Sequence, residues 1–330
     1  MAEFLTFDTD LTAVANAIRA KGGTSAQLVY PSGFVSAIQA IQTGITPKLV
    51  VTTTPGAAIT ATPAEGFKVV KGTAGADGMC TLELPKAGTW HVTAMANSVS
   101  NSQHIVIGTQ NMLLPLYHDT FANNTWEEII TVCRTGIAPD SWAVGDSKTM
   151  NIGGTAYQVD IIGKNHDEYA DGSGTAPLTF QLHDCYSEAK QMYSTNLSGL
   201  GWKNTDMRLA YLPAILALMP AEVQNGIRAV NKKTSEGGNS TTIEMVSDTL
   251  FLLSEVEIFG TASSSVAGEG SQYDYYKAGN PKIKKREGVD EFWWERSSAS
   301  GGMFCRVRAN GQAGASNASS SLGVSFAFCF

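Results

Sequence analysis

The sequence lacks the features that would place it in a membrane or direct it out of the cell. Its apolar runs all fall short of the roughly 20 residues that a transmembrane helix needs. Its opening, MAEFLTFDTD, has no basic segment followed by an apolar one, as a secretory signal would. Charged residues make up only 16% of the chain, and the net charge of −7 argues against nucleic acid as a partner. We therefore expect a protein assembled in the cytoplasm, with no membrane insertion and no nucleic acid bound.

Cysteine is scarce and scattered. The five cysteines, Cys80, Cys133, Cys185, Cys305 and Cys329, include no CxxC motif. An odd number without a secretion signal predicts buried free thiols. One alternative stays open, because Cys305 and Cys329 lie in two apolar, strand-like runs that could be neighbours.

Motifs for catalysis are missing as well. His118, His166 and His183 have Asp or Asn neighbours, but no nucleophile elbow accompanies them. His91 and His104 stand in strand-like runs without a carboxylate or cysteine cluster nearby, which favours strand residues over ligands. The sequence therefore predicts no enzyme and no cofactor.

One acidic cluster is the best candidate for a metal site in the sequence. Asp167, Glu168 and Asp171 could offer oxygen ligands within a short span. They lack the regular spacing of a calcium loop. A solvated acidic loop is favoured, so no metal is predicted.

What is present divides into three segments, since 330 residues exceed one comfortable core. Residues 1–45 predict a helical module, with one amphipathic helix over 9–21 and a second short helix from Phe34 to Gly44. Leu11, Val14 and Ile18 are expected on the apolar face of the first helix. Two such helices make too small a core to stand alone. We expect this module to associate with copies of itself or with a larger assembly.

Residues 46–109 predict a small β-sandwich. Short apolar runs alternate there with Gly, Pro and Asp turn signals, a spacing typical of such folds. Trp90, Val92 and Ala94 alternate along one run and are expected to face inward.

Residues 110–330 predict an α+β domain in which helices pack on short antiparallel strands. Thr125-Trp126-Glu127-Glu128 is a capping box that opens a helix. A longer helix is expected over 205–219, bent or restarted at Pro213. The apolar run 250–254 predicts a buried strand.

The closing stretch, 293–330, has rigid ends and a soft middle. Two tryptophans begin it at Trp293, and three phenylalanines at every second position end it from Phe326. Most residues from 297 to 323 are Gly, Ala, Ser or Asn. Such a composition cannot bury itself, so it predicts a surface held on a scaffold.

Several runs carry a family resemblance. TWEEII, YQVDIIGKNHDEYADGSG, LTFQLHDCY, LFLLSEVEIFG and WWERS…FCRV…GVSFAF, in this order over about 115–330, resemble the C-type-lectin-fold domain of phage tail proteins and bacterial surface proteins. This fold is shared with formylglycine-generating enzymes. DLTAVANAIRAKGGTSAQLVYPSGFVSAIQAI resembles the opening module of tail proteins, with an ordinary helical hairpin as the alternative. LPKAGTWHVTAMA resembles Ig-like spacers.

The ending also resembles the variable proteins of diversity-generating retroelements, in which mutagenic reverse transcription changes the end of a C-type lectin fold. The resemblance implies a variable region over about 294–323. Its outward, ligand-binding positions would be Glu295, Ser298, Ala299, Gly301, Gly302, Met303, Arg306, Arg308, Gln312, Gly314, Ser316, Ser319 and Ser321. Its fixed core anchors would be Trp293, Trp294, Phe304, Val307, Val324 and Phe326.

The sequence offers less support for the activities of other proteins with this fold. The E-P-N, Q-P-D and W-N-D motifs of calcium-dependent sugar-binding lectins do not occur, so no calcium site is carried over. Formylglycine-generating enzymes need two reactive cysteines a few residues apart, and only Cys305 stands in that region. Arg306 and Arg308 would share one strand face, either as interface residues or as solvated charges.

These expectations describe a receptor-binding protein, or adhesin, at the tail tip of a phage or prophage virion, with a lectin-fold surface diversified by a retroelement. Its expected partners are a bacterial host-surface protein or glycan, other tail proteins through the N-terminal module, and copies of itself in a homotrimer. A structural tail or bacterial surface protein that is not diversified is the alternative. An enzyme of the formylglycine-generating type is the third.

Overall fold

A computed structural model describes residues 8–22, 28, 47–64, 68–85, 87–107, 110–238 and 240–330. The chain divides into two compact units, Met1–Leu114 and Pro115–Phe330. Within the described ranges, no helix combines the length and the apolar character that crossing a membrane requires.

The first described element of the first unit is the α-helix Asp8–Gly22. Ile18 is buried as predicted, together with Ala15, and Leu11 is partly buried against them. Val14 was expected on the same face and is instead 47% exposed. The second helix expected from 34 to 44 lies outside the described residues.

The other secondary-structure elements described in the first unit are all strands, in two sheets. The described strands are β1 (Lys48–Thr52), β2 (Ala58–Pro63), β3 (Val70–Thr73), β4 (Met79–Glu83), β5 (Gly88–Ala96), β6 (Val99–Ile107) and β7 (Gln110–Leu113). One sheet has the order β4-β1-β7 and the other β3-β2-β5-β6. Trp90, Val92 and Ala94 of β5 are buried, which confirms the predicted alternation.

The second unit has a mixed α+β architecture. Its strands are β8 (Ser147–Ile152), β9 (Thr155–Lys164), β10 (Leu178–Leu182), β11 (Val230–Ser235), β12 (Ile243–Asp248), β13 (Leu250–Phe251), β14 (Lys284–Arg286), β15 (Val289–Glu291), β16 (Trp293–Ser298), β17 (Met303–Val307), β18 (Ala313–Asn317) and β19 (Ala327–Cys329). Its α-helices are Trp126–Cys133, Leu212–Leu216, Ala221–Gly226, Glu255–Phe259 and Asp274–Lys277. The turns Phe121–Asn123 and Trp202–Asn204 are 3₁₀-helical.

A five-stranded sheet in the order β13-β19-β10-β9-β8 brings the end of the chain into the core. Strand β10 pairs with β9 on one side and with β19 on the other, and all its residues are buried. Phe180 of β10 stacks on Phe328 of β19 with ring centroids 5.3 Å apart. The closing phenylalanines therefore anchor the last residues to the domain centre.

Two capping boxes fix where helices begin. Thr125 Oγ1 accepts the Glu128 N–H at 3.1 Å, and the Glu128 carboxylate accepts the Thr125 N–H at 2.8 Å, which confirms the predicted helix start. Ser254 and Glu257 make the same exchange at 3.1 Å each way. The apolar run 250–254 is therefore a strand only over its first two residues, and a helix follows it.

The long helix predicted over 205–219 is divided. A π-helix, Met207–Tyr211, leads directly into the short α-helix Leu212–Leu216. Pro213 lies in the first turn of that α-helix, a position that proline tolerates. The restart at Pro213 was predicted, whereas the π-helix was not.

All five cysteines are buried free thiols, as predicted. Cys305 Sγ lies 3.9 Å from Glu255 Oε2, whereas Cys329 Sγ lies 3.7 Å from Asp167 Oδ2. The two thiols belong to different sheets, so the alternative that they are neighbours is wrong.

Candidate ligand-binding surface

The predicted variable region folds into a three-stranded antiparallel sheet, β16-β17-β18. Strands β16 and β17 pair with an irregular register between Trp294 and Ser298. Strands β17 and β18 pair regularly, so that Arg306 lies opposite Gly314. Short turns join the strands, which makes this sheet the frame of the candidate surface.

The six predicted anchors are all buried core residues in and next to this sheet. Trp293, Trp294, Phe304, Val307, Val324 and Phe326 are each inaccessible to solvent. The indole N–H groups of Trp293 and Trp294 donate to the carbonyls of Lys282 and Lys190 at 2.9 and 2.8 Å. Both indoles are thus buried with their one polar atom satisfied, which is the arrangement that a large aromatic side chain needs in a core.

Most predicted surface positions are at least partly accessible. They are Gly301, Gly302, Met303, Arg306, Arg308, Gln312, Ser316, Ser319 and Ser321. They lie in the turn before β17, on β17, in the turn after it, on β18 and in the segment that follows. This surface presents hydroxyl, amide and guanidinium groups.

Glu295 was predicted at the surface and is instead fully buried. Strand β16 is buried along its whole length because its free edge is bonded to the backbone of Leu253 and Gly323. Burial and the negative charges of Glu255 and Glu269 raise the pKa of Glu295 well above its usual range. Neither of its carboxyl oxygens has a hydrogen-bond partner among the described residues, so the protonated form is favoured.

Ser298 and Ala299 were also predicted at the surface, and both are buried. The Ser298 hydroxyl donates to the Gly238 carbonyl at 3.0 Å. The Ala299 carbonyl accepts a hydrogen bond from the Ser198 hydroxyl at 2.9 Å. Two loops that are distant in sequence therefore cover the end of β16. No local sequence pattern could have predicted this burial.

Two glycines at predicted variable positions are constrained by their neighbours. Gly314 is buried rather than exposed, and a Cβ there would lie 2.8 Å from the Arg308 Nε, so a side chain requires Arg308 to move. Gly302 has a φ of +77°, and a Cβ there would overlap the backbone carbonyl of Asn196. Because a backbone atom cannot yield as a side chain does, Gly302 is a fixed position.

A neighbouring segment supports the end of the variable region. Lys190 and Leu322 exchange backbone hydrogen bonds of 2.9 and 3.1 Å, and Met192 N–H donates to the Ala318 carbonyl at 2.9 Å. The Gln191 side chain donates to the Ser319 carbonyl at 2.5 Å. Hydrogen bonds from residues 190–192 therefore hold the backbone around the serines at 319–321, although the side chains of these serines are accessible.

A buried charge network lies next to the sheet, and sequence patterns did not reveal it. The guanidinium of Arg296 donates to both carboxylate oxygens of Glu257. Glu257 also pairs with Lys232 at 2.8 Å, and Lys232 pairs with Asp167 at 2.6 Å. The Tyr273 hydroxyl lies 2.8 Å from Asp167 Oδ2. Charges of opposite sign alternate along this chain, so none of the four ions is left uncompensated.

Asp167 corrects the prediction of a solvated acidic loop. Burial alone would raise the pKa of Asp167, but the charge and hydrogen bonds of Lys232 outweigh it and lower that pKa to about 2. Glu168 and Asp171 are exposed as expected, with Asp171 2.5 Å from Arg228. Across the described ranges, no three His, Cys, Asp or Glu side chains are placed to hold a metal together.

One comparison with known proteins covers this part of the chain. A family model described as a domain of unknown function (DUF6273) matches residues 179–330, which include Arg296, Glu257 and the whole of the sheet β16-β17-β18. No curated protein and no solved structure matches the chain. The family description gives no activity, so the function has to be argued from the site itself.

Proposed function

We propose that this protein is the receptor-binding protein of a phage or prophage tail, and that the accessible residues of β17, β18 and their turns bind a host-surface ligand. One observation carries the proposal: in one short sheet, strand β16 is fully buried, whereas β17 and β18 combine buried residues such as Phe304 with the accessible Arg306 and Ser316. Truncation of a buried Phe typically costs about 3–5 kcal/mol, whereas exposed substitutions usually stay within about 0.5 kcal/mol. A binding surface built in this way can change without loss of the fold.

The remaining parts are proposed as a mount for this surface. Residues 115–330 are proposed as a C-type-lectin-like domain, and 46–109 as an Ig-like spacer, which is consistent with a unit of two sheets around a buried Trp90. The module at 1–45 would attach the chain to other tail proteins. A homotrimer would let three weak sites act together.

The proposed variable set is smaller than the sequence suggested. It comprises Met303, Arg306, Arg308, Gln312, Ser316, Ser319 and Ser321, whose side chains are accessible. Burial removes Glu295, Ser298, Ala299 and Gly314 from the set. The contact with Asn196 removes Gly302, and the positive φ of Gly301 strains any side chain there.

The DNA beside the gene tests diversification. We expect a repeat that nearly matches the codons for 294–323, differs from them only at adenines, and lies next to a reverse transcriptase gene. The differing codons should fall at accessible positions. Absence of such a repeat would refute diversification, and adhesion would then be tested by whether the purified chain binds intact bacteria and blocks phage adsorption.

A tail or surface protein with a fixed tip is the second candidate. The constrained Gly302 and the burial of Ser298 favour it, because both reduce the number of positions that can vary. The same genomic test separates it from the first. Enzyme chemistry of the formylglycine-generating type has less support, since burial, together with the charge of the nearby Glu255, raises the pKa of the Cys305 thiol and disfavours a reactive thiolate.

A further inference from the structure

We propose that Arg306 and Arg308 form an anion site, which binds the carboxylate or phosphate groups of a host-surface polysaccharide. The inference rests on the proposed function for its biological role, and it adds the chemistry of the ligand. Both arginines belong to β17 or its end, both reach toward β18, and neither forms an ion pair with a carboxylate among the described residues.

Arg306 is held in place but is only partly satisfied. Its guanidinium carbon lies 4.2 Å from the centroid of the Phe292 ring, and its Nε donates to the Ala315 carbonyl at 3.2 Å. Its Nη1 is buried and has no hydrogen-bond partner among the described residues. A planar guanidinium already fixed by stacking loses little freedom when it binds an anion.

Arg308 brings a second positive charge close to the first. Arg308 is exposed, and its Nε lies over Gly314, 2.8 Å from where a Cβ of that residue would be. Partial burial and the charge of Arg308 lower the pKa of Arg306. Within the described part of the chain, neither guanidinium pairs with a carboxylate. An anion bound between the two would relieve their repulsion and could accept paired N–H donors.

The segment that carries the two arginines has no negatively charged side chain of its own. From Arg296 to Phe330 the sequence contains no Asp or Glu, although the chain as a whole has a net charge of −7. The acidic Glu291, which precedes β16, is engaged with Arg286 at 2.8 Å. An anionic ligand would therefore meet a locally positive surface on a negative protein.

The rest of the surface suits a polysaccharide better than a protein. Of the exposed large hydrophobic side chains in the described residues, none lies on β17 or β18, and one, Phe292, stacks against Arg306. Protein interfaces usually depend on a cluster of such anchors. The accessible groups near the arginines are instead the amides and hydroxyls of Asn310, Gln312 and Ser316. These donate and accept hydrogen bonds, as sugar hydroxyls require.

The test uses the full chain and two pairs of probes, measured by calorimetry at low salt. Oligogalacturonate supplies carboxylates and its methyl ester is the uncharged match; poly(glycerol phosphate) supplies phosphates and glycerol is its match. We expect at least one charged probe to bind and neither uncharged match to do so, with affinity falling as salt rises. Arg306→Gln together with Arg308→Gln should weaken binding at least tenfold, and Arg308→Gln alone should weaken it several-fold.

Arg134→Gln is the matched control, because Arg134 is an exposed arginine at the end of the helix Trp126–Cys133. It makes the same change in charge as Arg308→Gln alone and should leave binding unchanged. Equal binding of charged and uncharged probes, or full binding by the double variant, would overturn the anion site. Preference for one charged probe identifies carboxylate or phosphate as the source.

Cell binding separates this inference from the proposed function. If the native protein and the double variant bind bacteria equally well, the anion site is wrong and the adhesin proposal stands. If the native protein binds a charged probe through the arginines but binds no bacterial cells that the phage infects, the site stands and the adhesin proposal fails.

Discussion

Arg296 and Glu257 form a two-point ion pair closed to solvent, with side-chain exposures of 0% and 2%. Arg296 belongs to β16, and Glu257 belongs to the helix Glu255–Phe259, whose start is fixed by the capping box at Ser254. The guanidinium also donates to the carbonyls of Leu252, Lys233 and Glu269. This pair therefore attaches the frame of the candidate surface to the domain interior.

Removing either partner of this pair should destabilise the domain strongly. Arg296→Met leaves Glu257 buried with fewer counter-charges, and breaking a buried pair typically costs about 3–5 kcal/mol. Chemical denaturation should show a loss of this size, while Arg134→Met, at an exposed arginine, should stay within about 0.5 kcal/mol. A loss below about 1 kcal/mol for Arg296→Met would contradict a structural role for the pair.

Substituting two neighbouring glycines, Gly301 and Gly302, distinguishes the cost of backbone strain from the cost of a steric clash. Gly301 and Gly302 have φ of +67° and +77°, so alanine is strained at both. Only at Gly302 would the new Cβ overlap the Asn196 carbonyl; at Gly301 the nearest atom, Met303 Cε, is 3.8 Å away. We expect Gly302→Ala to lower the free energy of unfolding by about 1–3 kcal/mol more than Gly301→Ala. Equal losses in thermal melts would show that the Asn196 contact yields.

Glu295 should make stability depend on pH in an unusual direction. Because its pKa is raised in the native state, the unfolded chain releases this proton above about pH 4.3 while the native chain keeps it. Stability should then fall as pH rises, by up to about 1.4 kcal/mol per unit. Glu295→Gln keeps the shape and removes the proton, so its advantage over the native protein should grow from pH 4 to pH 7. An advantage that is constant over this range would show that Glu295 ionises normally.

Local sequence signals predicted much of this architecture. The Thr125 capping box, the alternation around Trp90 and the aromatic ends of the closing stretch each express a short-range rule. The partners of Arg296 and Ser298 lie 39 and 60 residues away in sequence. No periodicity encodes such pairs, which is why β16 was expected to be half exposed and is entirely buried.

The contrast between Ser298 and Ser321 tests the revised map of the surface. Ser298 is 1% exposed and donates to the Gly238 carbonyl, whereas Ser321 is exposed. A tyrosine at 298 must displace the loop that covers it, so Ser298→Tyr should destabilise the protein by about 1–3 kcal/mol. Ser321→Tyr should stay within about 0.5 kcal/mol. Ser298→Ala serves as the control for the lost hydrogen bond alone, at about 1 kcal/mol.

The same comparison bears on how such a surface could vary. If both tyrosines are tolerated in denaturation experiments, the covering loop at Gly238 is easily displaced and Ser298 returns to the set of variable positions. If only Ser321→Tyr is tolerated, variation is confined to side chains that already face solvent. Binding could then change at those positions at little cost to stability, because the anchors beneath them and the Arg296–Glu257 pair would remain untouched.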